Sequence, residues 1–156
     1  MIRPATPADV PLVLELIAEL ARYEKLEHQL ELDADRVREH LFGRDPAAFA
    51  WIAMHEGAPV GFALFFHNFS TFLGRPGIHL EDLFVRPEHR GEGHGLALLR
   101  TVARAAIDAG CPRLGWNVLD WNELAIGFYQ AHGAEVLPDW RSCRLTGDAL
   151  RRMATG

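Results

Sequence analysis

The chain is short of cysteine, of positive charge and of long apolar runs, and each shortage excludes something. Its two cysteines, Cys111 and Cys143, are isolated and lack metal-ligand spacing, so neither a disulfide framework nor a zinc site is expected, and both read as buried, reduced thiols. Acidic residues outnumber basic ones by 21 to 16, the formal net charge is −5, and no basic stripe stands out. Nucleic acid is therefore not the expected partner, and a cationic ligand suits the chain better. No stretch approaches the roughly 18 apolar residues of a membrane span, and Met1-Ile2-Arg3-Pro4 lacks the apolar run of a signal peptide. No membrane association and a cytoplasmic location are the expectation. There is no internal repeat, low-complexity tract or linker. What is present, 156 residues of which 49% are hydrophobic, suffices for one domain over 1–156 with a real core.

The most informative stretch is Leu80 to Leu99, LEDLFVRPEHRGEGHGLALL. Leu80 to Val85 is short and apolar and stops at Arg86-Pro87; proline pushes the preceding residue towards extended backbone, so this reads as a strand end. From Gly95 onward Leu96, Leu99, Val102, Ala103, Ala106 and Ile107 recur at helical spacing, with Arg100, Arg104 and Asp108 on the other face. Arg90-Gly91-Glu92-Gly93-His94-Gly95 therefore sits at a helix N-terminus, where N–H groups without helical partners and the positive end of the macrodipole favour anions. Glycines at alternate positions let backbone amides approach phosphate oxygens closely, which suits a pyrophosphate. The bland alternative is a flexible loop before an incidental helix. The spacing is neither GxGxxG nor a phosphate loop with its lysine.

Elsewhere, Ile2 to Thr6 reads as a strand. Pro7 and Asp9 open a helix whose stripe is Val10, Val13, Leu14, Ile17, Ala18 and Ala21, running to about Tyr23. A second helix is predicted over Ala34 to Phe42, with Asp33 as cap and Gly43 as stop. Ala48 to His55 and Pro59 to Phe69 read as a hairpin about Glu56-Gly57-Ala58, followed by a loop from Ser70 to Gly77. Arg113 to Leu119 reads as a strand. Asn122 then caps a helix that carries Leu124, Phe128 and Ala131 on one face and closes at Gly133. Ala134 to Leu137 and Trp140 to Leu145 are expected as a last pair of strands, with a helical turn after Gly147. Alternating strands and helices after an initial helix pair point to a mixed α/β domain.

The spacing of Arg90, Gly93 and Gly95 resembles the pyrophosphate loop of the GNAT superfamily of acetyl-CoA-dependent N-acetyltransferases. Asp120-Trp121-Asn122-Glu123, Phe128-Tyr129 and Gly133-Ala134 are similar to a segment of its spermidine/spermine branch, to which thialysine acetyltransferases also belong. Ile2-Arg3-Pro4-Ala5-Thr6, Glu19 to Glu24, Val60-Gly61-Phe62-Ala63, Leu80-Glu81-Asp82, Arg90-Gly91 and Trp140-Arg141 look like that branch in the same order, over nearly the whole chain. The resemblance implies a single domain with a mixed, largely antiparallel central sheet flanked by helices, and a homodimer. It also implies acetyl-CoA as cosubstrate, no metal, and direct attack within a ternary complex by the primary amine of a small cationic molecule, a diamine, polyamine or thialysine-like amino acid.

Such chemistry needs a base, because an alkylamine of pKa about 10.4 is neutral in roughly one molecule per thousand at pH 7.4. The resemblance implies a carboxylate on the central strand. Glu81 is the expected base; adjacent residues face opposite sides of a regular strand, so only one of Glu81 and Asp82 is expected in the cleft. Tyr129 is implied as the acid that protonates the leaving thiolate. For the cofactor, the resemblance implies Leu83, Phe84 and Val85 along the strand, with a backbone N–H for the oxyanion, and Arg90, Gly91, Glu92, Gly93, His94 and Gly95 in the loop. Asn122 joins them, as does Ala125, which stands where the branch has a serine and so forgoes a hydrogen bond to the coenzyme arm. Substrate binding falls to Tyr23, Glu24, Glu81, Asp82, Trp116 and Asn117, where a carboxylate can hold a distal ammonium and an aromatic ring can add about 0.5 to 2 kcal/mol of cation–π attraction. The segment between Ala134 and Trp140 is shorter than in the polyamine enzymes, which sets the substrate end apart from theirs. Two alternatives stand beside this reading: a non-catalytic acyl-CoA-binding module, and an acetyltransferase acting on protein amines.

Overall fold

The computed structural model describes residues 1–155, in two compact units, Met1–Asn117 and Val118 onward. The first unit holds strand β1 (Ile2–Pro4), helices α1 (Val10–Glu24) and α2 (Ala34–Phe42), strands β2 (Phe49–His55), β3 (Ala58–Ser70) and β4 (Arg75–Val85), helix α3 (His94–Asp108) and strand β5 (Leu114–Trp116). The five strands form one sheet in sequence order, antiparallel from β1 to β4 and parallel between β4 and β5. Only that last pair needs a crossover, and α3 supplies it. The expected α/β class with a largely antiparallel sheet is therefore found.

Local chemistry explains the helix boundaries. The Asp33 side chain accepts a hydrogen bond from the Arg36 N–H at 2.8 Å, and Gly43 ends α2. Lys25 closes α1 in a left-handed conformation (φ 60°), its N–H turned back onto the Ala21 and Arg22 carbonyls, which fixes the turn carrying Tyr23 and Glu24. Arg86 donates to both carboxylate oxygens of Glu19, at 2.8 and 3.0 Å, and also to Glu15 and to the Pro59 carbonyl. It thereby ties α1 to the strand end from which the glycine loop departs.

Each sheet face has its own cover. Val13, Leu16 and Leu20 of α1 and Leu41 of α2 pack on Ala50, Ile52, Phe62 and Phe84, with Tyr23 and Leu64 at the margin. On the other face α3 lies against β3 and β4, and Trp51, which shares a face with Ala63 and Leu83 through the strand register, adjoins Arg100, Thr101 and Arg104 of α3. Gly61 of β3 stands opposite Val85 of β4. A Cβ there would fall inside contact distance of the Phe84 carbonyl oxygen and 3.0 Å from the Val85 Cα.

Several expectations need correction. The loop over Ser70 to Gly77 is a tight turn, because β3 and β4 keep pairing as far as Ser70 opposite Arg75. The strand expected over Arg113 to Leu119 is confined to Leu114–Trp116. In the second unit α4 (Glu123–Ala131) and α5 (Gly147–Thr155) form, but Ala134 to Leu137 and Trp140 to Leu145 are not strands among the described residues. Apolar composition alone does not make a strand; its N–H and C=O groups need a ladder partner, and none is paired to these segments. Cys111 is buried as expected, whereas Cys143, in that irregular segment, is exposed.

Gly61→Ala should lower stability by about 1 to 3 kcal/mol, since the obstructing atoms are backbone and cannot rotate away. Urea unfolding monitored by circular dichroism measures it.

Candidate active site

The sheet opens at its β5 edge. Pairing of β5 with β4 ends at Trp116 opposite Leu80, while β4 continues along β3 to Val85. The Arg86 N–H donates inward to Val60 of β3 at 2.9 Å. By alternation along an antiparallel strand, the N–H groups of Leu83 and Val85 point to the opposite, open edge. The Val85 carbonyl faces that way too, where it accepts a 3.0 Å hydrogen bond from Arg90 Nε. The expected cofactor strand thus presents backbone donors along an edge that β5 does not cover.

At the same point β4 contains one extra residue. Leu64 of β3 stands opposite Asp82 and Phe65 opposite Leu80, so Glu81 is the unmatched residue of a β-bulge. The simple alternation expected for Glu81 and Asp82 therefore does not hold. The bulge turns Asp82 onto the face of Leu64 and Phe84, beside the end of α1, and leaves Glu81 largely exposed, its carboxylate 3.7 Å from His79 Nε2. Burial pushes the Asp82 carboxyl up to about 7, with the charges of Glu81 and Glu24 adding to the rise. Partial burial also pushes the Glu24 carboxyl up. Tyr23 completes this corner, and the Arg90 guanidinium lies 4.3 Å from the centre of its ring. The structure thus gathers Tyr23, Glu24, Asp82 and Arg90. Trp116 ends β5 level with Leu80, and Asn117 next to it is exposed.

The glycine loop has the backbone that its sequence suggests. Gly91 and Gly93 are both left-handed, with φ 81° and 84°, and a Cβ at either would meet nothing within 4 Å. Gly93 is the N-cap of α3, and Gly95 lies within its first turn, where the N–H groups have no helical acceptor. Glu92 turns towards His94, with 3.1 Å between its Oε2 and the His94 Nε2. Arg90 folds back onto Val85 and Tyr23 and braces the loop against β4 and α1.

In the second unit Asn122 caps α4, its side chain accepting from the Ala125 N–H at 3.2 Å. Tyr129 follows one turn after Ala125 on this helix, its ring 5.3 Å from that of Phe128.

Sequence reasoning missed the bulge, although its trace is visible. Buried Ile78 and Leu80 occupy even positions and the apolar residues of that same face continue at the odd positions Leu83 and Val85, a change of parity across Glu81-Asp82. It also missed His55 and His89, which stand beside Glu92 at the loop. Nothing in their sequence spacing brings residues of β2 and of the turn after β4 together.

The sequence profile of the Acetyltransferase (GNAT) family matches residues 13–134. The chain is 39% identical to the thialysine N-epsilon-acetyltransferase of Bos taurus, over 99% of this chain and 96% of the relative. It is 33% identical to an L-ornithine N5-acetyltransferase of Arabidopsis thaliana, over 96% of this chain and 86% of the relative. Among solved structures, an integron cassette protein of V. cholerae superposes with a TM-score of 0.81 at 26% identity, over 100% of this chain and 98% of the other.

The raised Asp82 carboxyl has a consequence for stability. Its folded pKa lies above the unfolded value, so the native state holds a proton that the unfolded state has lost, and stability falls as pH rises towards and through about 7. Asp82→Asn abolishes that loss. Relative to the wild type, the variant should be more stable at pH 8 than at pH 4.5, by about 3 kcal/mol, in urea titrations at the two pH values.

Proposed function

The chain belongs to the GNAT acetyltransferase family, and from that premise we propose that residues 1–156 act as one domain that transfers the acetyl group of acetyl-CoA to the terminal primary amine of a small cationic substrate. The two relatives named above act on thialysine and on L-ornithine, both amino acids with a distal amine, and the same class is proposed here ahead of the polyamines. The observation that carries the reading is the half-buried carboxyl of Asp82, turned by the bulge onto the α1 face where the sheet opens.

The residues present fit acetyl-CoA. Open space over left-handed Gly91 and Gly93, at the N-terminus of α3, accommodates a pyrophosphate, and the edge amides of Leu83 and Val85 suit the acyl-bearing arm and the developing oxyanion. Arg90 holds the loop to β4, Glu92 and His94 shape its rim, and Asn122 with Ala125 at the start of α4 is assigned to the coenzyme side. Acetyl-CoA supplies the activated thioester. Glu24, Tyr23, Trp116 and Asn117 are assigned to the amine-bearing molecule, whose positive charge the acidic corner attracts.

Asp82 is assigned as the base. A carboxylate near pKa 7 is mostly ionised at pH 7.4 yet basic enough to take a proton from an ammonium, directly or through a water, an effect of about 10²- to 10⁴-fold. Glu81 is exposed, and the role given to it here is to draw the cation and hold the Asp82 carboxyl high. The amine nitrogen bonds to the acetyl carbon as the carbon–sulfur bond breaks. One proton leaves the ammonium for Asp82; Tyr129 gives its proton to the departing sulfur, and the second proton, released from nitrogen after the C–N bond forms, passes through water to the Tyr129 phenolate. The reading keeps the homodimer implied by the resemblance, which sedimentation will resolve against a 17.5 kDa monomer.

Purified protein with acetyl-CoA should release CoA fastest with ornithine, lysine and thialysine, more slowly with spermidine. In the wild type kcat/KM should rise with pH through about 7, because the base works ionised. Asp82→Asn should lower kcat/KM by about 10²-fold or more and remove that rise; Glu81→Gln should keep the rise and move it to lower pH. The opposite pattern assigns the base to Glu81. Tyr129→Phe should lower kcat at saturating substrate.

A further inference from the structure

Three imidazoles surround one carboxylate at the rim of the glycine loop. His55 ends β2, His89 belongs to the short turn Pro87–His89 after β4, and Glu92 lies in the loop itself. Glu92 Oε2 is 3.4 Å from His89 Nδ1, 3.8 Å from His55 Nδ1 and 3.1 Å from His94 Nε2. Ligand atoms of His55, His89 and Glu92 all lie within 4.8 Å of one another. The rings of His55 and His89 are 5.4 Å apart, and those of His55 and His94 5.2 Å apart.

Hydrogen bonding accounts for only part of this convergence. His94 Nε2 and His89 Nδ1 are within hydrogen-bond distance of Glu92 Oε2 and fill its two lone-pair sites, whereas His55 Nδ1, at 3.8 Å, is too far to hydrogen-bond and still lies within 4.8 Å of the ligand atoms of His89 and Glu92. A cation among the rings and the carboxylate would satisfy them together, because a neutral imidazole nitrogen is a donor atom to a metal. Two nitrogens and one carboxylate oxygen are a borderline-soft set, typical of a zinc ion whose fourth position holds water, whereas calcium and magnesium demand more oxygen ligands.

We propose that His55, His89 and Glu92 form a binding site for a divalent transition metal ion, zinc above all, with His94 as the positioning residue that orients the Glu92 carboxylate. The ion joins the end of β2 to the turn after β4 and the adjoining loop bearing Gly91 and Gly93, two segments distant in sequence. It is a clasp on the loop and takes no part in the acetyl transfer, so the proposal stands on this geometry and not on the reading of the activity. Binding to the folded chain alone stabilises it by mass action.

The test is titration of the chelator-treated full chain with zinc chloride, followed by calorimetry and thermal unfolding. One ion per chain at micromolar concentration and a rise of several degrees in Tm are expected. His55→Ala and His89→Ala should each weaken binding by at least about tenfold, together they should abolish it, and Cys143→Ser should leave it unchanged. Binding only at millimolar zinc, or binding that survives in the double variant, overturns the site. Should the variants fail to fold, cobalt(II) binding to the wild type decides: a tetrahedral visible spectrum without thiolate charge-transfer bands supports it, and those bands, or no spectrum, overturn it. Acetyl-CoA binding is measured separately, so its failure leaves the zinc result intact.

Discussion

β4 carries one residue more than β3 can match between Leu80 and Asp82, and the positions of the site's carboxylates follow from that mismatch. Without the bulge Asp82 would share a face with Ile78 and Leu80, against α3. With it, Asp82 joins Leu64 and Phe84 on the α1 face, beside Glu24 and Tyr23. The displaced residue, Glu81, takes the exposed side. The two carboxyl groups thereby acquire different environments although adjacent in sequence, and burial dominates the behaviour of the inner one. The same place marks the end of β5 pairing, so the strand edge opens where the half-buried carboxyl stands.

Arginine contacts hold this corner in position. Arg86 fixes α1 to the end of β4 through Glu19, and Arg90 spans the Val85 carbonyl and the Tyr23 ring. Both guanidiniums flank the turn that leads into the loop. Loop, strand edge and α1 terminus are thus coupled by charge-assisted contacts, which bring more geometric specificity than stability. The glycines do the complementary work: Gly91 and Gly93 supply backbone conformations that leave the N-terminus of α3 uncovered.

Much of this was legible in the sequence wherever local chemistry decides the outcome. The Asp33 and Gly43 boundaries of α2, the Asn122 cap and the loop before α3 follow from capping and backbone preferences, and the structure has them at those residues. The hairpin of β2 and β3 follows from apolar runs about a glycine turn. What could not be read locally depends on partners. The strands expected at Ala134 to Leu137 and Trp140 to Leu145 find no ladder among the described residues, and the His55, His89 and Glu92 grouping exists only once β2 and the β4 exit are neighbours. For the bulge, strict period-two alternation was the wrong assumption at the one place where the apolar parity changes.

The account rests on Asp82 being enclosed on the α1 face by the bulge. Carboxyl ¹³C NMR titration of the full chain, with the Asp82 signal identified by its loss in Asp82→Asn, tests that claim most directly. A midpoint near 7 is predicted, falling when Glu24 is replaced by Gln. A midpoint near the ordinary aspartate value of about 4 would contradict it and return Asp82 to solvent.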